Sequence, residues 1–245
     1  MNEMLRLLLA HRSIRKFTPR PIEPELLAEI VSAGQSAATS SFLQGATVIQ
    51  VNDEVKRKEL ATLAGNQRHI ESCAEFLVFC ADLRRARNCC EMHDKSFSGE
   101  YTEHFMIATI DTALFAQNVV IAAESLGLGI CYIGGLRNNP REVSDLLRLP
   151  QGVYPVFGLC LGYPDQDPEV KPRLPLSVIL KQDVYDDSAD ADAIKSYDEQ
   201  VTEYYHTRTG GGHGTPWSLQ VATLLSEKAR PHMRAFLAEQ GFTLK

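Results

Sequence analysis

Positive charge is in short supply in this chain of 245 residues. Its 25 lysines and arginines are outnumbered by 31 acidic residues, which gives a formal net charge of −6. Nucleic acids and anionic lipid surfaces attract proteins with clustered excess cations, so this balance predicts neither as a partner. The shares of hydrophobic residues (44%) and charged residues (23%) are those of an ordinary globular protein with a substantial core.

Long hydrophobic runs are missing as well. The apolar run from Leu7 to Ala10 is too short, and too closely flanked by charge, for a signal peptide. No uninterrupted stretch of about 18 apolar residues suggests a segment that spans a bilayer. We therefore expect a cytoplasmic protein with no membrane association.

The six cysteines form no metal or disulfide framework in the sequence. None belongs to a C-x-x-C pair or has histidines at zinc spacing, so no metal site is predicted. Cys80, Cys131 and Cys160 lie in apolar runs, where a free thiol behaves as a small hydrophobe. Redox chemistry can be argued only for the adjacent pair Cys89 and Cys90. This usage is typical of the reducing cytosol.

Common nucleotide and catalytic fingerprints are also absent. Gly127, Gly129 and Gly134 do not fit G-x-G-x-x-G, and Gly127 precedes a strand-like run instead of following one. The chain has no G-x-x-x-x-G-K-[ST], G-x-S-x-G or H-E-x-x-H motif. The sequence therefore indicates neither a Rossmann fingerprint nor a nucleophile elbow, and neither a nucleotide triphosphatase nor a zincin.

What the sequence does contain is an alternation of helical and strand-like segments. Helical spacing covers 4–11, 25–33, 54–63, 105–126, 140–149, 193–206 and the region after Trp217, and strand-like runs cover 46–51, 75–81, 130–133 and 154–161. The strand-like runs are continuously apolar, which predicts a sheet covered by helices on both faces.

The segment 105–126 is apolar around nearly its whole circumference. Such a helix is buried in a large core or in an extensive interface. Further along, the acidic run 183–192 has the composition of a solvated connector. The loop 210–214 has four glycines in five positions and is expected to be mobile in the free protein.

Several clusters carry the side chains that a phosphate-bearing ligand requires. They are His11, Arg12, Ser13 and Arg15 after the first helix; Thr39, Ser40 and Ser41 in a small-residue loop; and Lys171 with Arg173 in a proline-rich loop. Guanidinium forks and hydroxyls suit phosphate oxygens, but Arg12 and Arg15 are equally compatible with surface or intersubunit ion pairs. In a fourth cluster, Tyr132–Gly135, two glycines at a strand end let the backbone approach a flat ligand.

Seven motifs together resemble the nitroreductase family, in particular its NADPH-dependent, oxygen-insensitive nitroreductases and their flavin-reductase relatives. They are HRSIRKFTPRPI at 11–22, SSFLQ at 40–44, GNQ at 65–67, AQNVVIAAESLGLG at 116–129, YIGGLRN at 132–138, FGLCLGYPD at 157–165 and KPRLP at 171–175. Each motif is weak alone, but the resemblance runs in order from residue 11 to about residue 236.

The resemblance implies an α+β fold, with a mostly antiparallel central sheet flanked by helices, and an intertwined homodimer with two FMN sites at its interface. Residues 1–245 would form a single FMN-dependent nitroreductase domain. A C-terminal helical extension, about 183–245, would wrap the partner and carry the glycine-rich loop.

The resemblance also assigns roles to individual residues. The family's anchors of the FMN phosphate and ribityl chain are matched by His11, Arg12, Ser13, Lys171 and Arg173, and its polar flavin contacts by Thr39, Ser40, Ser41 and Gln67. The backbone beside the ring is matched by Tyr132, Ile133, Gly134 and Gly135. Arg15 matches a residue at the pyrimidine edge that gives the flavin electrostatic support, and Arg208 matches a ligand of the NADPH 2′-phosphate. No side chain is implied as a nucleophile, since FMN N5 carries the hydride.

The implied function is the two-electron, ping-pong reduction of nitroaromatics, quinones or free flavins by NADPH. Two alternatives stay open: a dedicated NADPH-flavin reductase, and a flavin-binding sensor or store without turnover. The sequence departs from the family pattern at Ala37 and Ala38, where hydroxyls are missing, and over 84–103, which resembles little in the family. That segment is expected near the substrate entrance.

Overall fold

One antiparallel sheet forms the centre of the computed structural model, which describes residues 1–99, 101–208, 214–227 and 229–245. Its strands, in the order β1-β2-β4-β3, are β1 (Ala46–Gln50), β2 (Glu75–Asp82), β3 (Gly129–Ile133) and β4 (Val153–Gly162). Every neighbouring pair runs antiparallel. The predicted α+β class with an antiparallel sheet is confirmed.

The central strands β2 and β4 are buried on both faces. Phe76 and Val78 contribute to one hydrophobic cluster, whereas Leu77 and Phe79 contribute to another on the opposite side of β2. This alternation explains why the strands look continuously apolar in sequence. The pairing of β2 with β4 shifts register after Phe79, close to Pro155, whose nitrogen cannot donate to the ladder.

The described ranges contain eleven helices. They are α1 (Glu3–Leu9), α2 (Pro24–Gln35), α3 (Glu54–Leu63), α4 (His69–Ser72), α5 (Arg84–Met92), α6 (Thr102–Ser125), α7 (Pro140–Leu146), α8 (Leu176–Ile179), α9 (Asp190–Thr207), α10 (Trp217–Ser226) and α11 (Met233–Glu239). Short 3₁₀ turns cover Ser40–Phe42 and Gly134–Asn138.

The long helix α6 packs against α2 and the sheet. A Cβ atom at Gly34 of α2 would lie 2.3 Å from Cγ2 of Val119, so the two helices cross too closely for any side chain there. By length and composition alone, α6 also passes the test for a membrane-crossing helix, as core helices of water-soluble proteins do. The expectation that no segment is long and apolar enough for a span is wrong in that sense.

The chain folds into two compact units. The first comprises Met1–Asp167 and Arg230–Lys245, and the second comprises Pro168–Ala229. In the second unit, Tyr197 of α9 donates to the carbonyl of Pro172 at 2.9 Å, and Asp198 accepts the backbone N–H of Ser218 at 2.8 Å. The predicted single domain, with an extension that wraps a partner, remains a prediction.

Candidate functional site

The segment after α1 runs beside β3 and carries the first cationic cluster. Ser13 forms a parallel bridge with Ile130, and the Ile14 N–H donates to the Ile130 carbonyl at 2.8 Å. Ile14 is buried against Gly129, where a Cβ atom would lie 2.6 Å from Cγ1 of Ile14. The buried Ile14 fixes the backbone of this segment, and this defines the positions from which the polar side chains on either side of it extend.

Two cations of this cluster have carboxylate partners. Nδ1 of His11 lies 2.7 Å from Oε1 of Glu124, and Arg12 pairs with Asp167. Asp167 is 84% exposed, so its ion pair with Arg12 contributes little, about 0–1 kcal/mol, and is easily exchanged for a ligand. Arg12 and Glu124 also line a cleft of about 700 Å³. The ion-pair interpretation of Arg12 is thus correct for the free protein.

Arg15 differs from His11 and Arg12 because it has no counter-ion among the described residues. Its side chain is exposed and makes neither a hydrogen bond nor an ion pair with any residue that the structure describes. Burial lowers the pKa of His69, and the positive charge of Arg15 lowers that pKa further. The Arg15 charge opposes the rise that burial causes in the pKa of Cys131. Arg15 therefore lies near the segments that carry Gln67 and Tyr132.

The glycine turn after β3 packs against the end of α3. A Cβ atom at Gly135 would lie 2.3 Å from the carbonyl oxygen of Ala64, and Asn139 donates to the Leu63 carbonyl at 2.7 Å. Gln67 is held by its N–H, which donates to Ala61 O at 3.0 Å. The absence of a side chain at Gly135 is thus required by this contact within the protein.

Tyr132 is half-buried next to this turn. Its ring stacks edge-on with Phe157 at 5.1 Å, and its hydroxyl is 3.4 Å from Oε1 of Gln117. Burial, together with the charge of Glu124, raises the pKa of the Tyr132 hydroxyl well above its ordinary value. The phenol is therefore neutral and can act only as a hydrogen-bonding group.

The hydroxyl loop, residues 39–45, forms a separate group beside α6. Thr39 and Ser41 line a cleft of about 780 Å³ together with Phe42 and the two thiols of α5, Cys89 and Cys90. No hydrogen bond or ion pair among the described residues joins this loop to the Arg15 cluster, which comprises His11, Arg12, Ser13 and Arg15. Within one chain, the hydroxyl loop and the Arg15 cluster are therefore two separate groups of predicted flavin contacts.

Two of the predicted residues of the second unit, Lys171 and Arg208, meet at one tyrosine. Nζ of Lys171 lies 2.6 Å from the Tyr205 hydroxyl, and the Arg208 guanidinium lies 5.3 Å from the centre of the same ring. Arg173 donates to the Lys171 carbonyl at 2.7 Å. Of the predicted mobile glycine loop 210–214, residues 210–213 lie outside the described residues.

Asp111 is a site residue that sequence reasoning missed. It is 1% exposed and accepts backbone N–H groups of the hydroxyl loop. The sequence feature that could have revealed Asp111 is the presence of an acidic residue inside a helix that is otherwise nearly all apolar. Among the described residues, no group of three or more His, Cys, Asp or Glu side chains is placed to hold a metal ion.

Comparison with protein families decides the classification. Residues 8–163 match the model of the nitroreductase family, and residues 171–245 match that of the nitroreductase family C-terminal domain. The chain belongs to the nitroreductase family. The family predicted from the seven motifs is therefore confirmed.

Named relatives of this nitroreductase-family protein cover the whole chain. It is 44% identical to the NADPH-flavin oxidoreductase of Vibrio harveyi over 98% of both chains. It is 40% identical to the oxygen-insensitive NADPH nitroreductase of Salmonella typhimurium over 100% of both chains. The solved structure of the NADPH:FMN oxidoreductase from Vibrio harveyi complexed with NAD⁺ aligns with a TM-score of 0.90, at 43% identity over 98% of both chains.

Proposed function

We propose that this protein is an FMN-dependent NADPH oxidoreductase that reduces nitroaromatics, quinones or free flavins in two-electron, ping-pong turnover. The observation that carries the proposal is an exposed Arg15, without a counter-ion among the described residues and close enough to His69 and Cys131 for its charge to influence their pKa values, in a chain 44% identical to an NADPH-flavin oxidoreductase. Its cysteines are free thiols, which supports action in the reducing cytoplasm.

The donor set fits FMN. A flavin mononucleotide presents acceptor oxygens on its phosphate, its ribityl chain and its pyrimidine edge. Arg15 is a donor without a described partner, Arg12 has only an exposed carboxylate as partner, and Lys171 has a neutral tyrosine hydroxyl as partner. Thr39 supplies a second indication, because its Oγ1 is buried with no hydrogen-bond partner among the described residues. A buried hydroxyl of this kind costs free energy until a ligand satisfies it.

Each residue then has a role that follows from its chemistry. Arg12 exchanges the exposed Asp167 for the phosphate dianion, and His11, Ser13, Lys171 and Arg173 complete the anchor. Bound FMN supplies the electron and hydride chemistry.

Arg15 acts at the other end of the flavin. It would place a positive charge at the pyrimidine edge and stabilise negative charge there. Gln67 supplies an amide to the same region, and Tyr132–Gly135 present backbone groups beside the ring.

A homodimer completes the site in this proposal. The hydroxyl loop of one protomer would meet the Arg15 cluster of its partner, which accounts for their separation within a single chain. Met106, Ile110 and Leu114 form an apolar stripe on α6 and are 47%, 52% and 45% exposed. The same three residues line a cleft with Thr39 and Ser40, so the stripe and the hydroxyl loop form one surface. A second copy would cover both.

NADPH would be recognised at Arg208. Its guanidinium lies over a tyrosine ring and is exposed, so it is free to form a charge-assisted pair with a 2′-phosphate. NADH carries a hydroxyl at this position and offers no such partner. This argues for a cofactor-using enzyme over a flavin store.

A steady-state panel tests the function: NADPH or NADH as donor, with nitrofurazone, menadione or free FMN as acceptor. We expect turnover with all three acceptors, faster with NADPH, and parallel double-reciprocal lines. Turnover confined to free FMN would establish the dedicated flavin reductase, which the names of two relatives favour. No turnover with any acceptor would establish the sensor or store.

A further inference from the structure

We infer that Asp111 of α6 is a positioning residue that holds the hydroxyl loop, residues 39–45, in the conformation that binds the flavin. The inference rests on the proposed function and deepens it, because it names the device that orders one half of the site. Asp111 itself reaches the ligand only through the loop.

The Asp111 carboxylate bridges the two ends of the loop. Its Oδ1 accepts the N–H of Ser40 at 3.1 Å, and its Oδ2 accepts the N–H of Gly45 at 3.0 Å. The side chain is 1% exposed, and among the described residues no cation pairs with it. A buried carboxyl group is unfavourable unless it is hydrogen-bonded, so one placed here with two backbone N–H groups indicates a specific demand for this geometry.

That demand comes from the backbone between the two ends. Ser41, Phe42 and Gln44 have φ values of 50°, 55° and 55°, in the left-handed region that favours glycine. Three such residues in one short loop store strain, which persists only where surrounding contacts over-determine the conformation. Asp111 supplies those contacts from one side.

Arg85 of α5 supplies contacts from the other side. Its guanidinium donates to the carbonyls of Gln44 at 3.0 Å and Ala46 at 3.3 Å, and to Thr47 Oγ1 at 2.7 Å. Asp111 thus binds N–H groups of the loop while Arg85 binds carbonyls at its end. These N–H and carbonyl groups of the loop backbone therefore have hydrogen-bond partners within the protein.

The consequence is that the hydroxyls of the loop stay available. Because Asp111 accepts backbone N–H groups, it leaves the hydroxyls of Thr39, Ser40 and Ser41 for a ligand. Thr39 Oγ1 is buried without a described partner, and Phe42 is 81% exposed at the tip. A strained loop with unsatisfied polar groups and an exposed aromatic ring is the signature of preorganisation for binding.

A merely structural role for Asp111 predicts something different, and Thr112 offers a matched control. Thr112 is the next residue on α6, is fully buried, and donates to the carbonyls of Ala108 at 2.7 Å and Cys80 at 3.3 Å. It faces the sheet and makes no hydrogen bond to the loop. Thr112→Val therefore removes buried hydrogen bonds from the same helix and leaves the loop intact.

The experiment compares Asp111→Asn with Thr112→Val in the full chain. The asparagine keeps one acceptor oxygen but sets its NH₂ group against the other loop N–H. We expect Asp111→Asn to raise the FMN dissociation constant about ten-fold or more and to accelerate amide exchange over 39–45. Thr112→Val should lower Tm comparably and change FMN affinity less than about two-fold.

A second pair of variants keeps the test valid if Asp111→Asn does not fold. Ser40→Pro removes the N–H that Asp111 accepts, and the extended Thr39 (ψ 151°) tolerates a following proline. Ser40→Ala removes only the hydroxyl. The proline variant should bind FMN more weakly than the alanine variant.

Three outcomes would overturn the inference: FMN affinity unchanged in Asp111→Asn, equal losses in Thr112→Val at matched Tm, or equal affinities of the two Ser40 variants. Wild-type protein that takes up no FMN would instead overturn the proposed function itself.

Discussion

Arg208 ends α9 with its guanidinium over the ring of Tyr205, 5.3 Å from the centroid. It forms no ion pair with Glu203, an acidic residue of the same helix, or with any other described residue. The cation is held by a weak contact that a phosphate can replace.

We therefore expect Arg208→Ala to raise KM for NADPH about ten-fold or more, which corresponds to at least roughly 1.4 kcal/mol of lost binding. Kinetics with NADH and the FMN content should be nearly unchanged, because neither ligand offers a 2′-phosphate. Lys195→Ala, which removes another exposed cation of α9, is the matched control. Equal losses with NADPH and NADH would remove Arg208 from the site.

His69 gives the stability of the protein a pH dependence. It is 8% exposed, and its Nε2 has no described partner. Burial, followed by the nearby Arg15 charge, lowers its folded-state pKa below 6.5, so the unfolded chain binds the proton more tightly. The neutral ring is compatible with the fold above pH 6.5, and stability falls as the pH drops through 6.5 towards the lowered pKa.

The free energy of unfolding should accordingly decrease between about pH 7.5 and 5.5, and His69→Gln should flatten this decrease. Denaturant titrations at fixed free FMN measure the slope. His93→Gln, at an exposed position, serves as control and should keep the wild-type slope. A wild-type slope in His69→Gln would contradict this account of the histidine.

At the scale of elements, α6 shows what periodicity cannot resolve. Its apolar circumference correctly predicts a buried helix, yet it does not say which face meets the core and which meets a partner. Phe115 and Val119 are natural candidates for an interface by sequence. The structure instead buries Val119 completely and packs Phe115 edge-on against Phe79 at 5.7 Å.

The face available to a partner is the stripe Met106, Ile110 and Leu114. We expect Ile110→Asp to give folded monomers with weakened FMN binding, because a charge at the centre of an apolar interface opposes association. Val119→Asp should prevent folding altogether. Light scattering, circular dichroism and flavin content distinguish the two outcomes. Val55→Asp, at an exposed position of α3, is the control. A flavin-loaded dimer of Ile110→Asp would exclude this interface.

The helix α5, like the short helices α4 and α8, was not predicted from the sequence. The segment RRARNCCEM is strongly polar on average, and none of its residues is buried. A local capping contact marks its start: Asp82, at the end of β2, accepts the N–H of Arg85, three residues further on, at 3.2 Å. Its two thiols line the cleft of the hydroxyl loop. The expected place of this segment near a substrate entrance stays a prediction.

For the whole molecule, local pattern predicts most elements, and resemblance supplies the site. The predicted family, fold class and NADPH oxidoreductase function are confirmed by the family match, the antiparallel sheet and the relatives. Contacts distant in sequence were not predictable. Asp111 bridges Ser40 and Gly45 across more than sixty residues, and Arg12 pairs with Asp167. Such contacts depend on how strands and helices pack, which periodicity does not encode.

The most direct test of the central claim is an anaerobic titration of purified protein with NADPH, followed at the flavin absorption band. The account predicts yellow protein that releases FMN, not FAD, on acid treatment, with about one FMN per chain. Bound flavin should bleach completely with about one equivalent of NADPH, and nitrofurazone should restore the band. A colourless protein that takes up no added FMN, or bound flavin that NADPH does not bleach, would contradict it.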